Sequence, residues 1–404
     1  MRVVHVVTAF PRTASDPITP WLVELVRRQR MAGVDASVLA PAWRGGPAEE
    51  AFPEIPVRRF RYAPASLETL THDETVPDRL RRRPSMLGLV PGYLLGGIRA
   101  AHEVGAQAPD VVHVHWPMPH ALFGAAARRG SGGRTAVVSS FYSVELNWVR
   151  RRLRPLSPFL RWTVESADAV TAISRSTARA VREIAAVPVT VVPYGAALED
   201  EGEAPARPAL SGDGPLRLLF VGRLVERKGV EVLVRALAEV LTRRPAELTV
   251  IGAGEEEASI RRTVLACGLG GKVRLAGAVP HEELVRAYAE HDVFVLPAVV
   301  DAKGDTEGLG VVLLEALRFE RPVVASDLGG IPDIVEPGRT GVLVPPGDPS
   351  ALAAAIEALA DRPEEARAMA GAGRRVARER FGWERVLRLT GEVYGAATER
   401  RRGA

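Results

Sequence analysis

The chain has 404 residues, 47% of them apolar and 25% charged, with a formal net charge of +4. That length suits two domains of about 200 residues, and the interspersed charges exclude wholesale disorder. A single cysteine, Cys267, excludes an internal disulfide or a cysteine metal site, and no apolar run reaches the ~18 residues that span a bilayer.

Taken in chain order, Val3–Val7 reads as a strand, with no signal-peptide pattern at the start. Trp21–Met31 has the apolar spacing of a helix, and Ala36–Leu39 reads as a second strand, closing a βαβ unit of the doubly wound type. A Pro/Gly/Glu-rich loop runs from Pro41 to Pro56. Further strands are expected at Val111–Val114, Thr135–Ser139 and Ala169–Ile173, with an Ala-rich helix from about His120 to Arg129, and Val189–Pro193 ends the first half. Glu199–Pro215, dense in Glu, Pro, Gly, Ala and Asp, reads as a linker. A fresh α/β series opens with strand Leu216–Val221 and a helix to Leu241, followed by strand Leu248–Ile251. More strands are expected at Val273–Leu275, Val293–Leu296, Val323–Ala325 and Val342–Val344. The expected division is an α/β domain over 1–200, a linker over 201–215, a second α/β domain over 216–380 and a C-terminal helix over 381–404.

The basic groups are nearly all arginine, with only Lys228, Lys272 and Lys303 as lysines. Arginine clusters at Arg79–Arg83 and Arg150–Arg154 fall in the N-terminal half. The plain reading is a solvated face. The sharper one is attraction of anionic lipid or an anionic acceptor, because the apolar stretch Met86–Leu95 follows the first cluster. The expected location is therefore the cytoplasm, with peripheral attachment at the inner membrane face under the sharper reading. No aromatic-studded basic motif is present, so nucleic acid is not an expected partner.

The most informative segment is Asp305-Thr306-Glu307-Gly308-Leu309-Gly310 and the apolar run that follows it to Glu315. The glycines free the backbone to approach a ligand, and a helix read from Leu309 onward would offer its first N–H groups to a phosphate. Eight helical positions span roughly 12 Å, about the distance from a ribose across a diphosphate to an attached sugar. One glutamate would then accept hydrogen bonds from ribose and the other from sugar hydroxyls. The plain reading is a buried helix with a glutamate at each end. Arg223 and Lys228 flank a strand end and a helix start, where a cation pair suits a diphosphate. Gly252-Ala253-Gly254 is a glycine turn after a strand, and by itself either a tight turn or a binding loop. His113 and His115 share one face of a strand, with His115 nearer its carboxyl end, and as a pair they fall short of a zinc site.

Together, Glu307 to Glu315, Val221–Gly229 and Ser326–Pro345 resemble the signatures of retaining, nucleotide-sugar-dependent glycosyltransferases of family 4 (group 1), with two facing Rossmann-like domains in the GT-B fold. That resemblance implies a donor-binding C-terminal domain, an acceptor-binding N-terminal domain, a central cleft and a last helix that crosses back onto the first domain. It implies catalytic roles for Glu307 and His115, and donor-phosphate contacts from Arg223, Lys228, Gly308, Leu309 and Gly310. Glu315, Gly254 and Val279 would line the nucleotide pocket. The acceptor side departs from the common pattern. Phe10, Pro11 and Arg12 stand where a glycine pair is frequent, and Glu145 stands near the place of a frequent aspartate. No Asp-x-Asp metal motif occurs, so the expectation is a UDP-, GDP- or ADP-sugar co-substrate and no required metal or other cofactor. The acceptor, whether lipid-linked, a glycan or a small metabolite, stays open. So do two alternatives, a nucleotide-sugar epimerase on the same architecture and a non-catalytic nucleotide-sugar binding protein.

Overall fold

The computed structural model of the chain describes residues 1–404 apart from 14, 15, 17, 47–50, 74, 75, 144, 147, 148, 150–153, 196–208, 211, 213 and 404. Residues 150–153 of the second arginine cluster and most of the expected linker lie outside the described residues. The chain divides into two compact units. The first holds residues 1–173, 178–192 and 386–404, and the second holds 174–177 and 193–385.

The first unit is built on seven parallel strands: β1 (Arg2–Val6), β2 (Asp35–Pro41), β3 (Val57–Phe60), β4 (Val111–His115), β5 (Ala136–Phe141), β6 (Ala169–Ala172) and β7 (Val189–Val191). Their order across the sheet is β3-β2-β1-β4-β5-β6-β7. Strands such as Val111–His115 and Ala136–Phe141 are buried along their whole length, as a parallel sheet covered on both faces requires. β3 falls at the end of the loop expected over Pro41–Pro56 and follows it directly. Its Val-Arg-Arg-Phe sequence buries only Phe60, so the edge strand leaves no apolar run to read.

Part of the apolar stretch after Arg83 is structural, with Met86, Val90 and Leu94 packed on the core while Leu87 and Leu95 stay exposed. It opens the helix Val90–Ala106, which packs against the helix Pro117–Gly130 through glycine contacts. A Cβ on Gly97 would stand 2.1 Å from the Phe123 ring, and one on Gly105 would stand 2.0 Å from the Ala127 carbonyl. The helices therefore approach closely only because these positions lack side chains. The last helix, Trp383–Arg402, brings the chain back to the first unit, where Val393, Tyr394 and Ala397 join a core with Val3, Val111, Ala136 and Val138.

The second unit has six parallel strands: β8 (Leu216–Val221), β9 (Ala246–Ile251), β10 (Val273–Gly277), β11 (Val293–Leu296), β12 (Val323–Ser326) and β13 (Val342–Val344). Their order is β10-β9-β8-β11-β12-β13. The helix Val230–Val240 shows why these segments fold as they do. Val230, Leu233, Val234, Leu237 and Val240 recur at helical spacing and are buried, with Glu231 in the first turn complementing the helix dipole. Burying each such side chain stabilises the unit by roughly 1.5–3 kcal/mol.

Candidate active site

In a doubly wound sheet, ligands bind beyond the carboxyl ends of the strands, where neighbouring strands send their helices to opposite faces. In the second sheet that switch lies between β8 and β11. The loops there hold most of the residues singled out by sequence. After β8, Glu226–Lys228 forms a short 3-10 turn and Gly229 takes a φ of 65°. A Cβ on Gly229 would stand 1.9 Å from the Pro297 carbonyl just past β11, so only glycine lets the two loops meet. The Arg227 carbonyl accepts from the Val299 N–H at 2.9 Å, which fixes the turn against the β11 loop.

This placement aims Lys228 at Glu307. The Lys228 ammonium donates to a Glu307 carboxylate oxygen at 2.5 Å, and Arg227 donates to the same oxygen at 3.2 Å. Burial would push the Glu307 carboxyl up, but Lys228, Arg227 and the Gly310 N–H outweigh it and hold the group below the usual carboxylate range. Arg227 is the cation that the sequence reading missed. Arg223, expected at the donor phosphates, is exposed.

Glu307 precedes the helix, which runs over Val311–Arg318 with Gly310 as its left-handed cap at φ 88°. The expected helix start at Leu309 is therefore two residues early, because a positive φ at Gly310 breaks the helical path. Helical rise applies only from Val311 to Glu315. Leu309 is 2% exposed, Gly310 is buried and Gly308 is half-buried. The glutamate loop rests on the glycine pair after β12: the Gly330 N–H donates to the Glu307 carbonyl at 3.0 Å. Cβ atoms on Gly329 and Gly330 would each stand 2.1 Å from a carbonyl oxygen of Glu307 or Gly308. Glu315 is buried and accepts from the Tyr288 hydroxyl at 2.8 Å. Burial pushes its carboxyl up to about 7, against the opposing Tyr288 hydrogen bond. Gly254 is exposed in the turn after β9, and Val279 is half-buried beyond β10.

In the first unit, His115 ends β4 and is fully buried. Its Nδ1 bonds the Tyr142 hydroxyl at 2.6 Å and its Nε2 bonds His5 Nδ1 at 2.9 Å. His5 Nε2 reaches Gln29 Oε1 at 2.7 Å, and Gln29 Nε2 donates to the Tyr394 hydroxyl at 3.2 Å. Tyr394 bonds His113 Nδ1 at 2.8 Å, and His113 Nε2 bonds the Ser140 hydroxyl at 2.6 Å. One assignment satisfies every member: Tyr142 donates to His115, and all three imidazoles are neutral with the proton on Nε2. Burial holds each ring neutral, with His5 lowered to about 4 and the other two well below their ordinary value. The three histidines bring ligand nitrogens within 4.8 Å of one another, as a metal site would require. His5 is the third member that spacing did not disclose, since β1 and β4 meet only in the folded sheet.

Trp116 follows His115 with a φ of 49°, and Trp21, Trp116 and Tyr142 pack together with ring centres 4.8 to 5.9 Å apart. Glu145 is buried beside them. One oxygen accepts from the Tyr142 N–H at 2.7 Å, and burial pushes the carboxyl up to about 7. Phe10 is fully buried, and its carbonyl accepts from Arg59 at 3.4 Å, while Arg12 is half-buried and paired with Asp16 and Asp73.

Residues 205–376 match the family described as glycosyl transferases group 1, and residues 20–200 match glycosyltransferase family 4. The chain is 32% identical over 370 residues to a GDP-mannose-dependent alpha-(1-6)-phosphatidylinositol monomannoside mannosyltransferase of Mycolicibacterium smegmatis, covering 89% of this chain and 88% of that one. It is 30% identical over 299 residues to a glycogen synthase of Mycobacterium tuberculosis, covering 72% and 69%. Its fold is similar to sucrose-phosphate synthase from Thermosynechococcus elongatus, with a TM-score of 0.75, 22% identity and 98% of each chain covered. It is also similar to Anabaena HepE in complex with UDP and glucose, with a TM-score of 0.71, 19% identity, and 97% and 98% covered. With two parallel-sheet Rossmann-like units of the GT-B class and a relative matched along most of its length, the chain belongs to the group 1, family 4 glycosyltransferases.

Proposed function

We propose that the protein moves a hexosyl group from a nucleotide-sugar to an acceptor hydroxyl, retains the anomeric configuration and requires no metal. The second unit would bind the donor, and the first unit the acceptor. The observation that carries this reading is Glu307 buried between Lys228 and Arg227 at the sheet's switch point. An incoming diphosphate would draw the two cations away from the carboxylate. Glu307 would then be free to accept a hydrogen bond from a sugar hydroxyl. As the bond from the anomeric carbon to the phosphate oxygen breaks, the leaving diphosphate gains charge, and fixed cations lower that barrier. Among the described residues no carboxylate stands out as a covalent nucleophile, which favours attack on the same face. The acceptor oxygen bonds the anomeric carbon, and the departing phosphate oxygen takes the acceptor's proton. Glu315 would receive the ribose hydroxyls, with Gly254 and Val279 beside the nucleotide, while Arg223 and the Gly308–Gly310 backbone would meet the phosphates. Glu145, Arg12 and the Phe10 backbone are assigned to the acceptor side. His115, with both nitrogens engaged, would act by fixing the aromatic group around Tyr142 and Trp116.

The test is nucleoside diphosphate release in EDTA from a panel of UDP-, GDP-, ADP- and TDP-sugars, with and without acceptor extracts. GDP-mannose heads the panel because the mycobacterial relatives are named for it. Release from one donor that rises with acceptor, giving a product of unchanged anomeric configuration by NMR, is the expected outcome. Release that needs a divalent ion, or an inverted product, would overturn the corresponding part.

Membrane contact is proposed on narrower grounds. Arg81, Arg82 and Arg83 are exposed, as are Leu87 and Leu95 at 58% and 68%, so basic and apolar groups share one stretch of surface chain. No helix among the described residues is long and apolar enough to cross a membrane. Flotation with anionic but not neutral liposomes is expected, and equal behaviour with both would remove the idea.

A further inference from the structure

The first unit carries a second polar cluster, of which the chemistry above uses only Arg12. Loops leaving the carboxyl ends of the neighbouring strands β1, β2 and β3, with the helix start that follows the last, bring together Arg12, Trp43, His72, Asp73 and Arg79. The guanidiniums of Arg12, Arg44 and Arg79 lie 4.9, 5.6 and 5.7 Å from the Trp43 ring centre. The His72 ring packs on the same indole, with centres 5.5 Å apart. Asp16 pairs with Arg12 at 2.7 Å, and Asp73 pairs with Arg12 at 2.8 Å and with Arg79 at 3.2 Å. Arg59 supports the group from β3, donating to the Pro11 carbonyl at 2.9 Å. Among the described residues, the cluster thus sets several guanidiniums against two carboxylates. Arg79, which the sequence placed in a solvated arginine run, is turned inward and 7% exposed.

His72 shows that the cluster is incomplete. It is 8% exposed and holds a φ of 83°, unusual for a residue with a bulky ring. Its Nδ1 bonds the Thr71 hydroxyl at 2.8 Å, while its Nε2 is buried and meets no partner among the described residues. A buried polar atom left so costs on the order of 1–3 kcal/mol, and strain of this kind gathers where a ligand completes the geometry. The charge around it says which ligand. Burial keeps the ring neutral, and Arg59 and Arg12 reinforce that more strongly than Asp16 and Asp73 oppose it, so the local field is positive. When Nδ1 accepts from Thr71, Nε2 presents an unmet N–H donor.

We propose that Arg12, Arg79 and His72 Nε2 form an anion subsite that binds a phosphate group, with Trp43 as the platform that spaces the cations. Guanidinium forks match phosphate oxygens in pairs, and the indole stacks the arginines in place. That this phosphate belongs to the acceptor rests on the transferase reading; the binding itself does not.

The full-length protein, labelled with 15N-histidine, is titrated with inorganic phosphate at constant ionic strength, with chloride as the control. One ring signal, absent from H72N, is expected to shift saturably with phosphate and not with chloride. R12Q is expected to weaken that response at least tenfold while leaving affinity for free nucleoside diphosphate unchanged. Asn tolerates positive φ, and thermal midpoints close to the parent's establish that both variants fold. A shift that chloride reproduces, or one undiminished in R12Q, would overturn the proposal. Competition then assigns the source. Glycerol 3-phosphate reversing the shift supports a soluble phosphate ester, and phosphatidylglycerol vesicles doing so alone supports a lipid headgroup. A phosphate response that survives while no donor sugar is transferred would sink the acceptor assignment and leave the subsite standing.

Discussion

Lys228 Nζ lies 2.5 Å from a Glu307 carboxylate oxygen, and each side chain is only 10% exposed. A buried pair of this kind leaves an uncompensated charge when one partner is removed, at a cost of about 3–5 kcal/mol. Arg227 on the same oxygen softens that loss for Glu307 but not for Lys228. On the proposed reading, the two cations are held by Glu307 until a diphosphate takes its place.

Glu307→Gln keeps the shape and removes the charge. Turnover should fall by about 10²-fold or more, the scale of losing one fixed transition-state contact. Affinity for free nucleoside diphosphate should hold or tighten, because Lys228 and Arg227 no longer serve a carboxylate. Steady-state kinetics and calorimetric titration check the two halves. Near-parental turnover would refute the role given to Glu307.

Glu315 should release a proton when nucleotide binds. Burial raises its carboxyl to about 7, so near pH 6.5 it is largely protonated. Ribose hydroxyls donating to it would favour the ionised form and lower that value. Titrations in buffers of different ionisation enthalpy should show release near pH 6.5 and none at pH 9. Glu315→Gln should abolish the release and weaken nucleotide binding. A raised acidic group also makes stability fall as pH climbs from its unfolded value through about 7, and the Gln variant should lose that part of the slope.

Gly330→Ala tests the support beneath the glutamate loop. Its new Cβ would meet the Gly308 carbonyl at 2.1 Å, and backbone cannot yield as a flexible side chain can. A loss of about 2 kcal/mol or more is expected, with activity falling further than stability. Gly371→Ala is the internal contrast. It sits within the helix Pro363–Phe381 with nothing within 4 Å of the added Cβ, so a gain of roughly 0.5–1 kcal/mol is expected. Urea unfolding of both variants decides it; equal effects would remove the close-approach argument.

Acid should loosen the last helix. His5, His113 and His115 are held neutral in the folded state, so their contribution is present above their ordinary value of 6.5 and is lost progressively as pH falls below it, for His5 toward about 4. Hydrogen exchange of Trp383–Arg402 should accelerate below pH 6.5 and stay flat from 7 to 9. Tyr394→Phe strips a partner from both His113 and Gln29 and should cost about 1–3 kcal/mol at neutral pH. Unchanged exchange between pH 7 and 5 would count against the network's role.

The alternation of β-branched runs with helical patterns was enough to read two parallel α/β sheets, because strands buried on both faces must be apolar nearly throughout. Leu216–Val221, Val293–Leu296 and Val342–Val344 stand in the structure with the bounds that sequence predicts. Glu307, Glu315 and Lys228 stood out because they fall in segments that resemble the family's signatures, and the structure buries all three. What only the tertiary structure decided depends on which strands lie side by side and which way a turn points. His5 meets His113 and His115 through the order β1-β4, 108 or more residues apart in sequence. Arg227 reaches Glu307 beside Lys228 because Gly229 lets the turn meet Pro297. Arg79 leaves its arginine run to pair with Asp73 beside Trp43. Sequence period reports which residues are buried along one element, but lateral pairing and turn direction are set by packing between elements, and that is where the site's charges were brought together.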